Sequence, residues 1–328
     1  MNKFLMASLI ILGTILVLMV VLDAVVLSLK KRKKLPANRI GRYFQQNLFK
    51  FNAFVFLLIF CIIWVIPLIV GILGSFTSQY TFEYHPGQLI PEDGFTVDNY
   101  KHFFNYRNSA SGERYPVERW MLNSFIVSAS STLLYLLFAG LSAYALVFMR
   151  FKFRNVLFTF MLFTMVIPGV ATMTPQIANM ANLGISRSLL ALILPGLGGV
   201  GGLYLIRQFF LGIPKDLIES ARMDGASDFR IFLKVVLPVG KSVFFVQGLF
   251  CFMGSWNDLL WPQIILGTSD PSLWTLQVGI AALSQSKTAN TIGLNLASAM
   301  FSAVPIILLY IFTQNRIIEG VAASGVKG

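Results

Sequence analysis

Long apolar runs constrain this chain more than any other feature it carries. Residues 4–29, 51–73, 120–148, 156–180, 189–211, 243–266 and 291–313 form seven stretches dominated by Leu, Ile, Val, Phe and Ala. About 20 residues of helix cross a hydrocarbon core about 30 Å thick. Within lipid, helices satisfy their own backbone groups, whereas irregular chain does not. Each run is therefore expected to be a transmembrane helix. Composition agrees: 56% of residues are hydrophobic and 12% charged, against about 25% charged in soluble domains. So few charges cannot cover a water-facing surface.

The net charge of +12 would suggest nucleic acid in a soluble protein. Here the positive-inside rule accounts for it. Residues 30–50 hold eight Lys and Arg and no acid; Arg150, Lys152 and Arg154 form a second cluster; Lys215, Arg222, Arg230, Lys234 and Lys241 form a third; Arg316 and Lys327 follow the last run. These clusters fall on alternate loops, which places them all in the cytoplasm, the N-terminus outside and the C-terminus inside. The outer loops are then 75–119, 181–188 and 267–290. The longest carries Pro86, Pro91, Pro116 and several glycines and reads as an irregular cap. The first run has its basic cluster after it and only Lys3 before it, the reverse of a secretory signal, so it reads as a retained helix. Asp23 within it pairs with another helix or reaches water near the basic end.

The sequence offers little chemistry. Cys61 and Cys251 lie inside apolar runs, and His85 and His102 share one polar loop without metal-ligand spacing. Gly240-Lys241-Ser242 resembles the end of a phosphate-binding loop, but position 235 is Val and position 238 is Pro, so the required upstream glycine is missing. No nucleophile–base set is visible in the spans, which excludes catalysis as the expected role.

The polar segment 212–238 is too charged to span and too patterned to be a mere connector. Pro214 suits the first position of a helix. Leu217, Ile218 and Ala221 then share a face. Gly225 suits the left-handed position after a helix end, Ser227 can cap a second helix, and Pro238 is expected to stop it. Two short helices with a corner at Gly225 follow. Such a corner is either a compact knob that fills a partner's cleft or an amphipathic hairpin lying on lipid headgroups.

Glu219-Ser220-Ala221, then Gly225, then Val235-Val236-Leu237-Pro238 resembles the signature E-A-A, three residues, G, nine residues, I-x-L-P of bacterial ABC importer permeases. Ser220 and Val235 depart from it; the spacing is intact. Ile206-Arg207-Gln208-Phe209-Phe210, the stretch Ser255-Trp256-Asn257-Asp258-Leu259-Leu260-Trp261-Pro262 and the C-terminal run from Gly320 to Gly328 resemble the carbohydrate-uptake branch, in particular the maltose-type permease subunit with a cytoplasmic tail. The resemblance runs from about Phe51 to the end. It implies an all-α integral membrane protein, a six-helix permease core over 51–328 preceded by an extra transmembrane helix and basic linker over 1–50. It also implies a coupling segment at 212–238, with Glu219, Ser220, Ala221, Asp224, Gly225, Leu237 and Pro238 meeting an ATPase, and a cytoplasmic tail at 314–328. The implied partners are a second permease in a heterodimer, two copies of a cytoplasmic ATPase that bind ATP and Mg, and an extracytoplasmic solute-binding protein. No cofactor is implied on this chain.

Polar residues inside spans are costly and face cavities or other helices. Gln176, Asn179 and Asn182 end the fourth run; Trp256, Asn257 and Asp258 sit in the sixth; Asn295 lies in the seventh. Gln176, Asn179, Trp256, Asn257 and Asn295 are candidates for a translocation path, with helix–helix hydrogen bonding as the alternative. For Asn257 and Asp258 the shared family pattern favours a structural role. Pro168 and Pro175 are expected to bend the fourth run. The glycines at 196, 198, 199, 201 and 202 serve either close packing or flexure. A sugar permease is the leading reading. A permease for glycerol phosphate or an acidic oligosaccharide would favour Arg or Lys facing the cavity, and the spans show none clearly inside. A receptor or scaffold without transport would have no ATPase partner.

Overall fold

The computed structural model describes residues 13, 39–85, 87–88, 90–107, 112–267, 270–286 and 291–325, without the side chains of 39–49 and 315–325. Apart from Gly13, the expected first span lies outside the described residues. Fourteen helical elements follow in chain order. They are α1 (Arg39–Ser75), α2 (Gln79–Tyr84), α3 (Asp98–Asn105), α4 (Val117–Phe148), α5 (Arg154–Thr164), α6 (Gly169–Asn182) and α7 (Leu190–Gly198). Then come α8 (Val200–Leu211), α9 (Lys215–Met223), α10 (Asp228–Val239), α11 (Lys241–Trp256), α12 (Leu260–Leu266), α13 (Leu276–Ser284) and α14 (Ile292–Gly325), with a short 3-10 turn at Pro271–Leu273. No strand occurs among the described residues, only an isolated bridge between Arg107 and Arg114.

By length and composition, three of these elements can cross a membrane, and up to six crossings result if each of three bent pairs is one span. Lys50–Ser75, Val117–Phe148 and Ile292–Gln314 are single helices long and apolar enough to span. Three more are bent pairs: α5 with α6 at 101°, α7 with α8 at 46°, and α10 with α11 at 84°. Each bend has a sequence cause. Pro168 caps α6 after the turns at Met165–Ile167, because its ring and missing N–H bar an uninterrupted helix. Pro195 opens the 3-10 turn that ends α7 at the glycines. Gly240 forms the break between α10 and α11.

Three expectations are corrected here. Pro238 does not stop the second helix of the polar segment. Residues Phe232–Val236 widen into a π-turn, where the Leu237 N–H reaches back to the Phe232 carbonyl. That widening takes up the proline without ending the helix, and the chain turns at Gly240 instead. The run 243–266 is likewise not one helix. It ends at Trp256, with Asn257 as its C-cap, and α12 starts afresh at Leu260. Pro214 stands one residue earlier than expected, at the N-cap of α9.

The chain divides into two compact units. The first comprises the described parts of Met1–Lys101 with Thr291–Met300. Here α1 exposes Phe51, Phe54, Leu57, Phe60 and Trp64, as a helix in lipid does. Asn99 Nδ2 donates to the carbonyls of Ser75 and Thr77, at 3.0 and 2.8 Å, tying α3 to the end of α1. Asp93 accepts from Ser78 and Thr81, and those bonds hold its carboxyl below the usual range.

The second unit comprises His102–Asn290 and the part of α14 from Phe301. Its centre is α4, packed against α8, α11 and α13. Tyr135, Ala143 and Phe148 of α4 meet Ile206, Phe210 and Phe244 in one buried cluster. Gly202 lies against Tyr135 and Gln247 so closely that a Cβ would fall 2.1 Å from the Tyr135 hydroxyl. Close packing therefore explains this glycine; Gly196 and Gly198 have no atom within 4 Å of a Cβ.

Candidate functional site

The polar segment folds into a clamped corner. The apolar face of α9 is anchored by buried Ile218, with half-buried Ala221 packed beside it. Glu219 and Ser220 are exposed on the other side. At the C-terminus of α9, the Asp224 N–H donates to Ser220 O at 3.0 Å and the Ala226 N–H reaches Ala221 O at 3.1 Å. This wrap requires a left-handed residue, and Gly225 supplies it with φ +76°. Ser227 Oγ accepts from the Arg230 N–H, capping α10.

Side chains then lock the corner to the end of α4. Arg222 donates to Asp228 Oδ1 at 2.9 Å and to Phe148 O at 3.2 Å. The Tyr144 hydroxyl donates to the same Asp228 oxygen at 2.8 Å. Ile231, Phe232 and Val236 of α10 enter the same buried cluster as Ile218. The corner is thus tied directly to α4. Leu217, Met223 and Phe229 remain exposed, Met223 at 88%. Beside them, Arg150, Lys152, Arg154 and Lys215 line a groove of about 460 Å³.

Asp228→Ala removes the two ties that end on its carboxylate and leaves the Arg222 bond to Phe148 O. Charge-assisted hydrogen bonds contribute about 1.5–3 kcal/mol each when shielded, and side chains about 40% exposed, as this pair is, contribute less. We expect local loosening of about 1 kcal/mol, read as several-fold faster amide exchange across α9 with the Val200–Leu211 amides unaffected.

A second feature is an open cleft of about 330 Å³ within the spans of this unit. Ser131 of α4, Gln176 of α6, Gly254 and Ser255 of α11, Asp258 and Trp261 contribute to its lining. Of the residues expected along a path, Gln176 alone is on this lining. Trp256 is buried and donates through Nε1 to Ser302 O at 3.2 Å. Asn257 Nδ2 bonds back to Met253 O at 3.0 Å. Asn179 is exposed near the end of α6. Asn295 belongs to the other unit, where its carbonyl accepts from Ser298 Oγ at 3.0 Å. Asp258 has the expected structural contact, accepting from the Trp261 N–H at 3.4 Å, and faces the cleft as well. The residues overlooked in the sequence were Ser131 and Ser255. The signal for Ser131 was the run Ser130-Ser131-Thr132 in the middle of an apolar helix.

Three long apolar helices, three bent apolar helix pairs and a patterned polar corner together have the character of a polytopic membrane permease. Residues 136–317 match the family described as binding-protein-dependent transport system inner membrane component. The chain belongs to this family, the membrane-embedded permeases of ABC importers. It is 29% identical to a permease protein of the arabinooligosaccharides transport system of Bacillus subtilis, over 87% of this chain and 98% of that one. Its counterpart in Halalkalibacterium halodurans is 33% identical over 80% of this chain and 91% of that one. An sn-glycerol-3-phosphate transport system permease protein of Yersinia pestis is 33% identical over 64% and 74%. In fold, the chain is similar to a bacterial ABC transporter involved in import of the acidic polysaccharide alginate, with TM-score 0.70, 22% identity, and coverage of 85% and 98%.

Proposed function

We propose that this chain forms half of the membrane pathway of an importer for a sugar or oligosaccharide, driven by a separate ATPase. The clamped corner at Gly225 carries the reading. It presents Glu219, Ser220 and an apolar tip while its other face is fixed to α4 and α10. A rigid knob of this kind can seat in a groove of a cytoplasmic ATPase and convert closure of two ATPase copies into movement of α4. ATP and Mg would sit on those partners. A second permease would complete the pathway, and an extracytoplasmic binding protein would deliver the cargo. The alternating basic loops support an N-terminus outside and a C-terminus inside.

Sugar as cargo rests on the arabinooligosaccharide relatives. The glycerol-phosphate relative supports a second reading with a phosphorylated solute. The test is to purify the chain with co-expressed partners and measure binding-protein-stimulated ATP hydrolysis across a panel of neutral sugars, acidic sugars and glycerol 3-phosphate. Stimulation by sugars is expected. An intact membrane complex without an ATPase would overturn the importer reading, and stimulation by glycerol 3-phosphate alone would replace the cargo.

A further inference from the structure

We propose that the cleft between α4, α6 and α11 is a subsite for an uncharged saccharide bearing vicinal hydroxyls, and that Asp258 both accepts those hydroxyls and turns away anionic cargo. This deepens the sugar-permease reading and rests on it.

Three observations lead there. The Ser131 side chain is more than nine-tenths buried, lines the cleft, and its Oγ has no hydrogen-bond partner. A buried hydroxyl without a partner is costly and uncommon; the Ser131 oxygen is itself covered, so a ligand hydroxyl would satisfy it only after a small shift of the Ser131 side chain toward the cleft. Gln176 is only partly committed, since its Nε2 donates to Thr172 Oγ1 at 3.2 Å; its carbonyl and second N–H remain for a ligand. Asp258 holds only long backbone contacts at the start of α12, such as the 3.4 Å bond from Trp261. A carboxylate has about four acceptor positions, so most of its capacity is open. Together these groups form an acceptor-rich set with one flexible amide donor, suited to a pair of neighbouring alcohol groups. Trp261 is fixed by its own bond from Nε1 to Ala191 O at 3.0 Å, so its ring is a rigid apolar wall for the carbon face of a sugar ring. The volume is near the lower end of small-molecule pockets, about 300–1,000 Å³, which suits one end of an oligosaccharide.

Charge sets the sign of the selectivity. The lining contains one carboxylate and neither Lys nor Arg. Arg207 of the neighbouring α8 is stacked over the Phe158 ring at 4.0 Å and is not part of the lining. With Asp258 ionised, a phosphate or uronate in this slot would meet a like charge on the lining, and such a mismatch discriminates between cargoes without any added attraction to the right one. The structural contact of Asp258 does not compete with this role, because asparagine could keep that contact while removing the charge.

The test uses the chain purified with its co-expressed partner subunits, in lipid nanodiscs free of glycosidic detergent. Cys61→Ser and Cys251→Ala remove the native thiols, and Gly254→Cys reports from the cleft, where an added Cβ meets nothing within 4 Å. Relative to a free thiol, a cationic methanethiosulfonate should label this cysteine about tenfold faster than an anionic one. Arabinotriose should slow labelling, and trigalacturonate should not. Asp258→Asn should abolish the charge preference and let trigalacturonate protect. Gln176→Arg should do the same with Asp258 intact, which covers the case of an unfolded Asp258 variant. The proposal is overturned if labelling is indifferent to reagent charge, if arabinotriose gives no protection, or if trigalacturonate protects the parent protein equally. ATP hydrolysis stimulated by arabinotriose but without cleft protection sinks the subsite alone; loss of the stimulation itself would sink the sugar-permease reading.

Discussion

Gly225→Val is expected to lower solute uptake about tenfold while the complex still assembles and hydrolyses ATP. No atom lies within 4 Å of a Cβ built at Gly225, so a side chain there collides with no neighbour. The whole effect comes from the backbone. At φ +76° an L-residue with a Cβ is disfavoured by roughly 1–2 kcal/mol, and a β-branched one is a genuine outlier there. An energy of that size shifts a conformational equilibrium by a factor of about 5–30. The corner would relax by turning α9 relative to α10, misplacing Glu219 and Ser220 while Ile218 stays anchored. Gly225→Asn, which tolerates the left-handed region, should keep most uptake, and Gly225→Ala should fall between them. The measurement is uptake per ATP hydrolysed in reconstituted vesicles, with subunit stoichiometry as the control. Equal coupling in the glycine and valine proteins would remove the corner from the mechanism.

Why the corner was legible in the sequence, and the cleft mostly was not, follows from the range of the interactions involved. Gly225, Ser227 and Pro214 act on backbone within a few residues, so their types announce a turn, a cap and a helix start. Charge on alternate loops likewise depends only on order along the chain. The π-turn at Phe232–Val236 was hidden because Pro238 alone permits either a stop or a widened helix, and the packing of Phe232 and Val236 into the buried cluster selects the second. The cleft joins residues from position 131 to 261, a juxtaposition that no local period encodes. Trp256 and Asn257 looked like path residues because polar groups in spans are expensive. Their cost is met instead by Ser302 O, which the fold brings to Trp256, and by Met253 O, one turn back from Asn257. Ser131 is the reverse case: the polar run around it marks the position, but only the packing leaves its hydroxyl without a partner.

Gly279→Ala is expected to be the most damaging single-methyl change in the second unit. A Cβ there would lie 2.1 Å from Trp120 Cε3, well inside van der Waals contact. The ring has nowhere to go. Trp120 is fully buried, and its Nε1 donates to Pro271 O at 2.7 Å. Its neighbours Tyr115 and Trp274 pack against it with ring centroids 5.6 and 5.8 Å away, and Trp274 is itself tied to Gly267 O at 3.0 Å. The helix α13 must therefore shift, straining the bond from the Leu276 N–H to Ser124 Oγ at 2.8 Å and the two Asn123 bonds to Ser272 O and Trp274 O. Overpacking of a rigid site costs about 1–3 kcal/mol or more; with these polar ties at risk the upper end is expected, equivalent to about 10 °C in the melting temperature of a unit this size. Gly254→Ala, which meets open space, should leave the melting temperature unchanged. Trp120→Phe removes the part of the ring in the way but also loses the bond to Pro271. Combined with Gly279→Ala, it should cost clearly less than the sum of the two single changes, because the collision exists only when both larger groups are present. Strict additivity would mean that the glycine is not there to admit the indole, and that the close approach of α13 to α4 has another cause.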